Sequence, residues 1–166
     1  MDVFIEKIVQ KRKGAKDYLI IIGVIIATII LMLLVMAFIP GMSLFFLAAL
    51  GYIAYLIITT RNIEYEYAVT NGDLDIDKII AQRKRKRIFS ANCKDFEIVA
   101  KVKSPHFSNH YKNYKNQLDC TSSIDNENVY FIALNYNNEQ TVVYFEPNEK
   151  MLNNFKTYIP RKVFID

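Results

Sequence analysis

Five consecutive cations, Arg83, Lys84, Arg85, Lys86 and Arg87, form the densest chemical feature of the chain. Guanidinium forks grip phosphate oxygens bidentately and ammonium groups add a looser attraction. The run therefore suits an anionic lipid surface, where each cation contributes about 1 kcal/mol. In an extended segment Arg83, Arg85 and Arg87 point one way and Lys84 and Lys86 the other. The same charges would also keep an edge strand soluble or mark a cytoplasmic loop. From Arg61 onward there are 16 basic and 14 acidic residues, so the balance without the run is −3. The positive charge is a local patch, and nucleic acid is not an expected partner.

Other residue patterns are weaker. His106 and His110 are four apart, a ligand spacing only on a helix, and Pro105, Ser108 and Asn109 disfavour one there. No metal and no cofactor are expected. Asp73, Asp75 and Asp77 alternate on one strand face, which gives a solvated row rather than a converging calcium loop. Cys93 and Cys120 carry no local sign of an activating base. The aromatic and basic mixture from Tyr111 to Asn116 fits a protein contact or a mobile segment better than a single-strand surface. Only Gly72 of the five glycines lies beyond residue 60, so a phosphate-cradling glycine loop is excluded.

The elements that position these residues start with an apolar run. Tyr18 through Thr60, 43 residues, contains no Asp, Glu, Lys or Arg, and Pro40-Gly41 sits near its middle. About 20 apolar residues cross a bilayer as a helix, so residues 18–60 predict a two-helix hairpin with spans 18–39 and 42–60. Residues 1–17 read as a basic flank, with a short amphipathic helix carrying Val3, Phe4, Ile8 and Val9 as one form of it. Lys11, Arg12, Lys13 and Lys16 precede the run, Arg61 follows it, and the turn carries no charge. Basic flanks stay inside, which predicts both termini in the cytoplasm of a multi-pass inner-membrane protein. Gly23 and Ala27 share one helix face, as do Ala48, Gly51 and Ala54. These small residues are expected to pack the hairpin or to form a homo-oligomer surface.

Residues 61–166 predict one small strand-rich domain. Ile63 to Val69 alternates at the period of a half-buried strand, Asn71-Gly72 favours a type I′ turn, and Leu74 and Ile76 alternate with aspartates on return. Further strands are expected over 85–90, 96–102, 129–136 and 141–145, with a polar loop at 103–127. Met151, Leu152, Phe155, Tyr158 and Ile159 fall at helical spacing before Pro160.

IEYEYAVTNGDLDID, the basic strand over 83–90, SANCKDFEIV and the closing helix over 148–159 together resemble the pleckstrin-homology-like domains of small bacterial membrane proteins. The resemblance covers nearly the whole chain and rests on layout. It implies an α+β fold, a partly open antiparallel β-barrel of about six strands with a C-terminal helix, behind a membrane α-hairpin. It implies no enzyme activity, since such domains bind lipids, peptides or each other. The expected role is an adaptor or accessory subunit with an unidentified protein partner and anionic lipid contact at Arg83–Arg87. The alternative is a membrane-bound enzyme with its site in 103–127, around His106, His110 or Cys120.

Overall fold

The computed structural model describes residues 3–165. The chain divides into two compact units, one made of residues 12–63 with 80–84 and the other of the remaining segments.

The first unit is the helical hairpin. Helix α1 spans Ala15–Phe38 and α2 spans Ser43–Thr59, joined by one 3-10 turn at Pro40–Met42. Gly14 is the N-cap of α1, and its N–H donates to Asp17 Oδ2 at 3.0 Å. The helix thus starts one turn before the apolar run. Both helices are long and apolar enough to cross a membrane, and their apolar side chains are largely exposed. Within the apolar run, the half-buried residues of α1 are Ile21, Val24, Thr28, Met32 and Val35, at spacings of three and four. Gly23 and Ala27 lie off that face and are exposed. A Cβ at Gly23 or Gly51 would meet nothing within 4 Å. Ala48 is also exposed, and Ala54 is the buried residue of α2. On α1 the half-buried line is made of longer side chains, whereas on α2 it includes Gly51 and Ala54.

The second unit contains eight strands among the described residues, where the sequence predicts about six. β1 (Phe4–Gln10), β2 (Ile63–Thr70), β3 (Asp73–Ile80) and β4 (Lys84–Asn92) form the first sheet in that order. β5 (Phe96–Lys101), β6 (Asn116–Asp119), β7 (Tyr130–Tyr136) and β8 (Glu139–Phe145) form the second, in the order β5-β7-β8-β6. β6 runs parallel to β8, an exception to the expected antiparallel pattern.

The two unforeseen strands have different origins. β1 corrects the amphipathic-helix form of the flank: it pairs antiparallel with β2 from Phe4↔Thr70 to Gln10↔Glu64. Ile5 and Val9 turn inward, whereas Phe4 and Ile8, assigned to a membrane surface, lie on the opposite, exposed face. Met1 and Asp2 of that flank, and Asp166, lie outside the described residues. β6 comes from the polar segment 103–127, which also holds the one-turn helix α3 (Asn109–Lys112).

Type I′-like turns join β2 to β3 at Asn71 (φ 51°) and Gly72 (φ 91°), and β7 to β8 at Asn137 and Asn138 (φ 51° and 66°). A side chain at Gly72 would meet Cys93 Sγ at 2.9 Å and the Tyr158 ring at 3.1 Å, so glycine is required for space as well as for φ.

Inward residues of both sheets meet in one core. Tyr67 packs edge-on to Phe145 at 5.9 Å, and Phe89 lies 5.1 Å from Tyr136. Helix α4 (Glu149–Tyr158) closes this core with Met151, Leu152 and Phe155, and Asn148 Oδ1 caps it by accepting from Met151 N at 2.9 Å. The outer face of the second sheet has its own core. Ile98, Ala100, Phe131, Ala133, Val142 and Tyr144 are covered there by Phe107, Tyr111 and Tyr114 of the polar segment.

Candidate functional site

The outward face of β2 and β3 carries Glu66, Asp73, Asp75 and Asp77, because Tyr65, Tyr67, Leu74 and Ile76 occupy the inward positions. Glu66 and Asp77 are buried even so, at 6% and 7% exposure, which demands partners. β4 supplies them. Arg85 Nη2 pairs with Glu66 Oε2, and Arg87 Nε donates to Asp77 Oδ1 at 2.8 Å. Arg87 Nη1 also reaches Asp75 Oδ2 at 2.8 Å. Ser90 Oγ donates to Asp75 Oδ1 and Asn92 Nδ2 to Asp73 Oδ1, each at 2.6 Å. Asp75 and Asp77 are therefore withdrawn from the expected solvated row, while Asp73 stays exposed. The first two belong to one side of a charge network whose cations are guanidiniums.

Glu66 is the electrostatic centre of this network. Burial pushes its carboxyl above the usual range, Glu6 and Asp77 add to that, and Arg85 opposes it. The guanidinium forks of Arg85 and Arg87 are spent on carboxylates, although both side chains stay more than half exposed. Their capacity for phosphate is reduced accordingly.

The rest of the run has a different fate. Arg83 and Lys84 belong to the hairpin unit. Arg83 Nη2 donates to Thr59 Oγ1 at 2.8 Å, and its guanidinium lies 5.6 Å from the Tyr55 ring centroid, at the end of α2. Lys84 and Lys86 are exposed, and no carboxylate within ion-pair distance is found for either among the described residues. Of the flanking cations, Lys11 pairs with Asp119 at 3.6 Å and Arg61 with Asp17 at 3.9 Å, while Arg12, Lys13 and Lys16 are exposed.

The residues around which an enzyme site was framed go to separate places. His106 stacks on Phe164 at 3.9 Å. His110 Nε2 lies 3.2 Å from Tyr114 Oη, which donates to Glu97 Oε2 at 3.0 Å. Burial, with Glu97 second, pushes the Tyr114 hydroxyl up to about 12. Cys120 is fully buried, and burial pushes its thiol up to about 12 as well, so the reactive thiolate is disfavoured. Cys93 is buried and free, its thiol also raised by burial. Among the described residues no three His, Cys, Asp or Glu side chains converge as metal ligands.

Sequence reasoning found the cations and the aspartates but missed Glu66 as the buried partner of Arg85. The available signal was its place opposite Tyr65 and Tyr67 in the alternating strand, beside a run of arginines. A family model described as Bacterial PH-like domain (DUF6106) matches residues 1–165. No curated protein and no solved structure matches the chain.

Proposed function

The chain belongs to the bacterial PH-like domain family, and from that premise we propose that it is a membrane-anchored interaction module. In this reading the hairpin crosses the inner membrane twice, both termini are cytoplasmic, and the PH-like unit recruits a protein partner at the membrane surface. Contact with anionic lipid comes from Arg83, Lys84 and Lys86 rather than from Arg85 and Arg87. The single observation that carries the topology is the pairing of β1 with β2 across the hairpin. Strands before and after the two helices share one ladder, so they lie on the same side of any membrane. An even number of crossings satisfies this; one crossing, or a cleaved leader, would strip β2 of β1 and leave it paired with β3 alone.

The separate surroundings of His106, His110 and Cys120 favour interaction over a membrane enzyme centred on residues 103–127. Absence of Asp, Glu, Lys, Arg and His from Tyr18 to Thr60 argues likewise against an ion pathway within the hairpin.

Two measurements test the reading. A Ser43→Cys variant should label from outside intact cells, while tags at both termini react only after permeabilisation. Termini on opposite faces would overturn the topology. For lipid contact, the full chain in nanodiscs containing a photoreactive phosphatidylglycerol should cross-link within residues 83–86. Salt should weaken the cross-link, and Lys84→Ser with Lys86→Ser should abolish it. An unchanged yield in that double variant removes lipid contact and leaves a protein-binding module alone.

A further inference from the structure

In β1 the inward series is Ile5, Lys7 and Val9, with Val9 buried. A lysine in the middle of an inward apolar series breaks the local rule, and such breaks concentrate at functional sites. β5 ends the same way. Val99 is fully buried and bridged to Val163, and Lys101, two positions on, shares its face. These two lysines come from different sheets and line one open cleft of about 410 Å3 with Asn148, Glu149 and Leu152. That volume lies in the lower part of the range for small-molecule sites.

Among the described residues, the two lysines of this cleft have no carboxylate partner. Lys11, Arg85, Arg87 and Lys103 all have carboxylate partners. Neither Lys7 nor Lys101 has one among the described residues, and Lys101 Nζ instead lies 6.0 Å from the Tyr130 ring centroid. Asn148 uses its carbonyl to cap α4, which leaves its amide NH2 as a donor. Glu149 is the one acid among the described lining residues, so these contribute two ammonium groups and one carboxylate. Two point-charge donors and an amide suit a dianion with several acceptor oxygens, which a phosphate monoester provides and a single carboxylate does not. Leu152 supplies an apolar wall for the organic part.

We propose that the Lys7–Lys101 cleft binds a small phosphate monoester, a site separate from the Arg83–Arg87 run. The full chain in phosphatidylcholine nanodiscs is titrated with glycerol 3-phosphate and followed by its thermal unfolding temperature. The expected result is a saturable rise. Loss of one charged donor typically weakens binding by about tenfold, so Lys7→Met and Lys101→Met should each raise Kd by about that factor. Lys84→Ser with Lys86→Ser should leave it unchanged. A titration without saturation, or one unaltered in both methionine variants, overturns the proposal. Should Lys7→Met fail to fold, Lys101→Met on the opposite wall carries the same test. Repetition in nanodiscs containing phosphatidic acid, a lipid whose headgroup is itself a phosphate monoester, identifies the source of the phosphate. A weaker apparent affinity there assigns the cleft to a lipid headgroup, and an unchanged one to a soluble ester.

Discussion

The first sheet turns Glu66, Asp75 and Asp77 outward beneath Arg85 and Arg87, whereas the second turns Phe131, Ala133, Val142 and Tyr144 outward beneath Phe107, Tyr111 and Tyr114. Both outer faces are partly withdrawn from water, by opposite chemistry. The first is held by ion pairs that β4 makes with β3 and, across it, with β2; their arginines are half exposed, which opens the pairs to screening by salt. The second is held by aromatic area contributed from a segment remote in sequence, and salt leaves that contribution in place. A polar-looking segment can therefore be structural, and a highly charged strand can be largely self-satisfied.

The comparison is broken most severely at Phe131. It is fully buried and touches Phe107 and Tyr111 at ring centroids of 4.7 and 5.4 Å. Phe131→Ala should cost about 3–5 kcal/mol, read as a large fall in unfolding temperature that is equal at low and high salt. A loss that depends on salt would contradict the aromatic account.

Arg85→Met comes next, at roughly 1–2 kcal/mol, because it leaves Glu66 buried without its cation while the arginine itself was half exposed. Its pH dependence has a definite sign. Glu66 has a raised folded-state pKa, so the native state holds its proton more tightly than the unfolded chain. The contribution of Glu66 to stability is then fullest below its unfolded pKa and is lost as pH rises through the folded one. Removing Arg85 raises the folded value further, so the variant should lose more stability at pH 8 than at pH 5. Glu66→Gln in the same chain should flatten that difference; persistence of the slope would assign it to another group.

A smaller effect is expected at Tyr114→Phe, about 1 kcal/mol for the lost hydrogen bond to Glu97. In the parent chain the hydroxyl at about 12 also ties stability to neutral tyrosine. That stability should decline as pH rises above about 10, where the unfolded tyrosine ionises first. The variant should lose this part of the alkaline decline. Smallest of all is Lys84→Ser with Lys86→Ser, within about 0.5 kcal/mol by thermal melting, as expected for exposed positions.

What the sequence discloses follows the same division. The β2–β3 hairpin is legible because Asn71-Gly72 is a local signal and Tyr65, Tyr67, Leu74 and Ile76 alternate strictly. The turn into β4 is not, since Ala81 and Gln82 take φ of 54° and 55° without the residue types that favour it. β6 is hidden for another reason. Asn116–Asp119 is polar, and its parallel partner begins more than twenty residues later at Thr141. In the candidate site the five cations are visible at once, but Glu66 lies 19 positions from Arg85, and only strand order joins them. Lys7 was legible as an anomaly in FIEKIVQ, had that segment been read at period two.

The insertion of the hairpin between β1 and β2 has a consequence for biogenesis. β1 leaves the ribosome 54 residues before its partner, since Gln10 pairs with Glu64. At 5–20 residues per second the first strand waits roughly 3–10 s, while the helices are being synthesised. If only one helix inserted, β2 would emerge on the wrong face and β1 would stay an unpaired edge. Under the proposed two-crossing topology, completion of the first sheet would report correct insertion, because a mis-inserted chain would keep β1 as an unpaired edge.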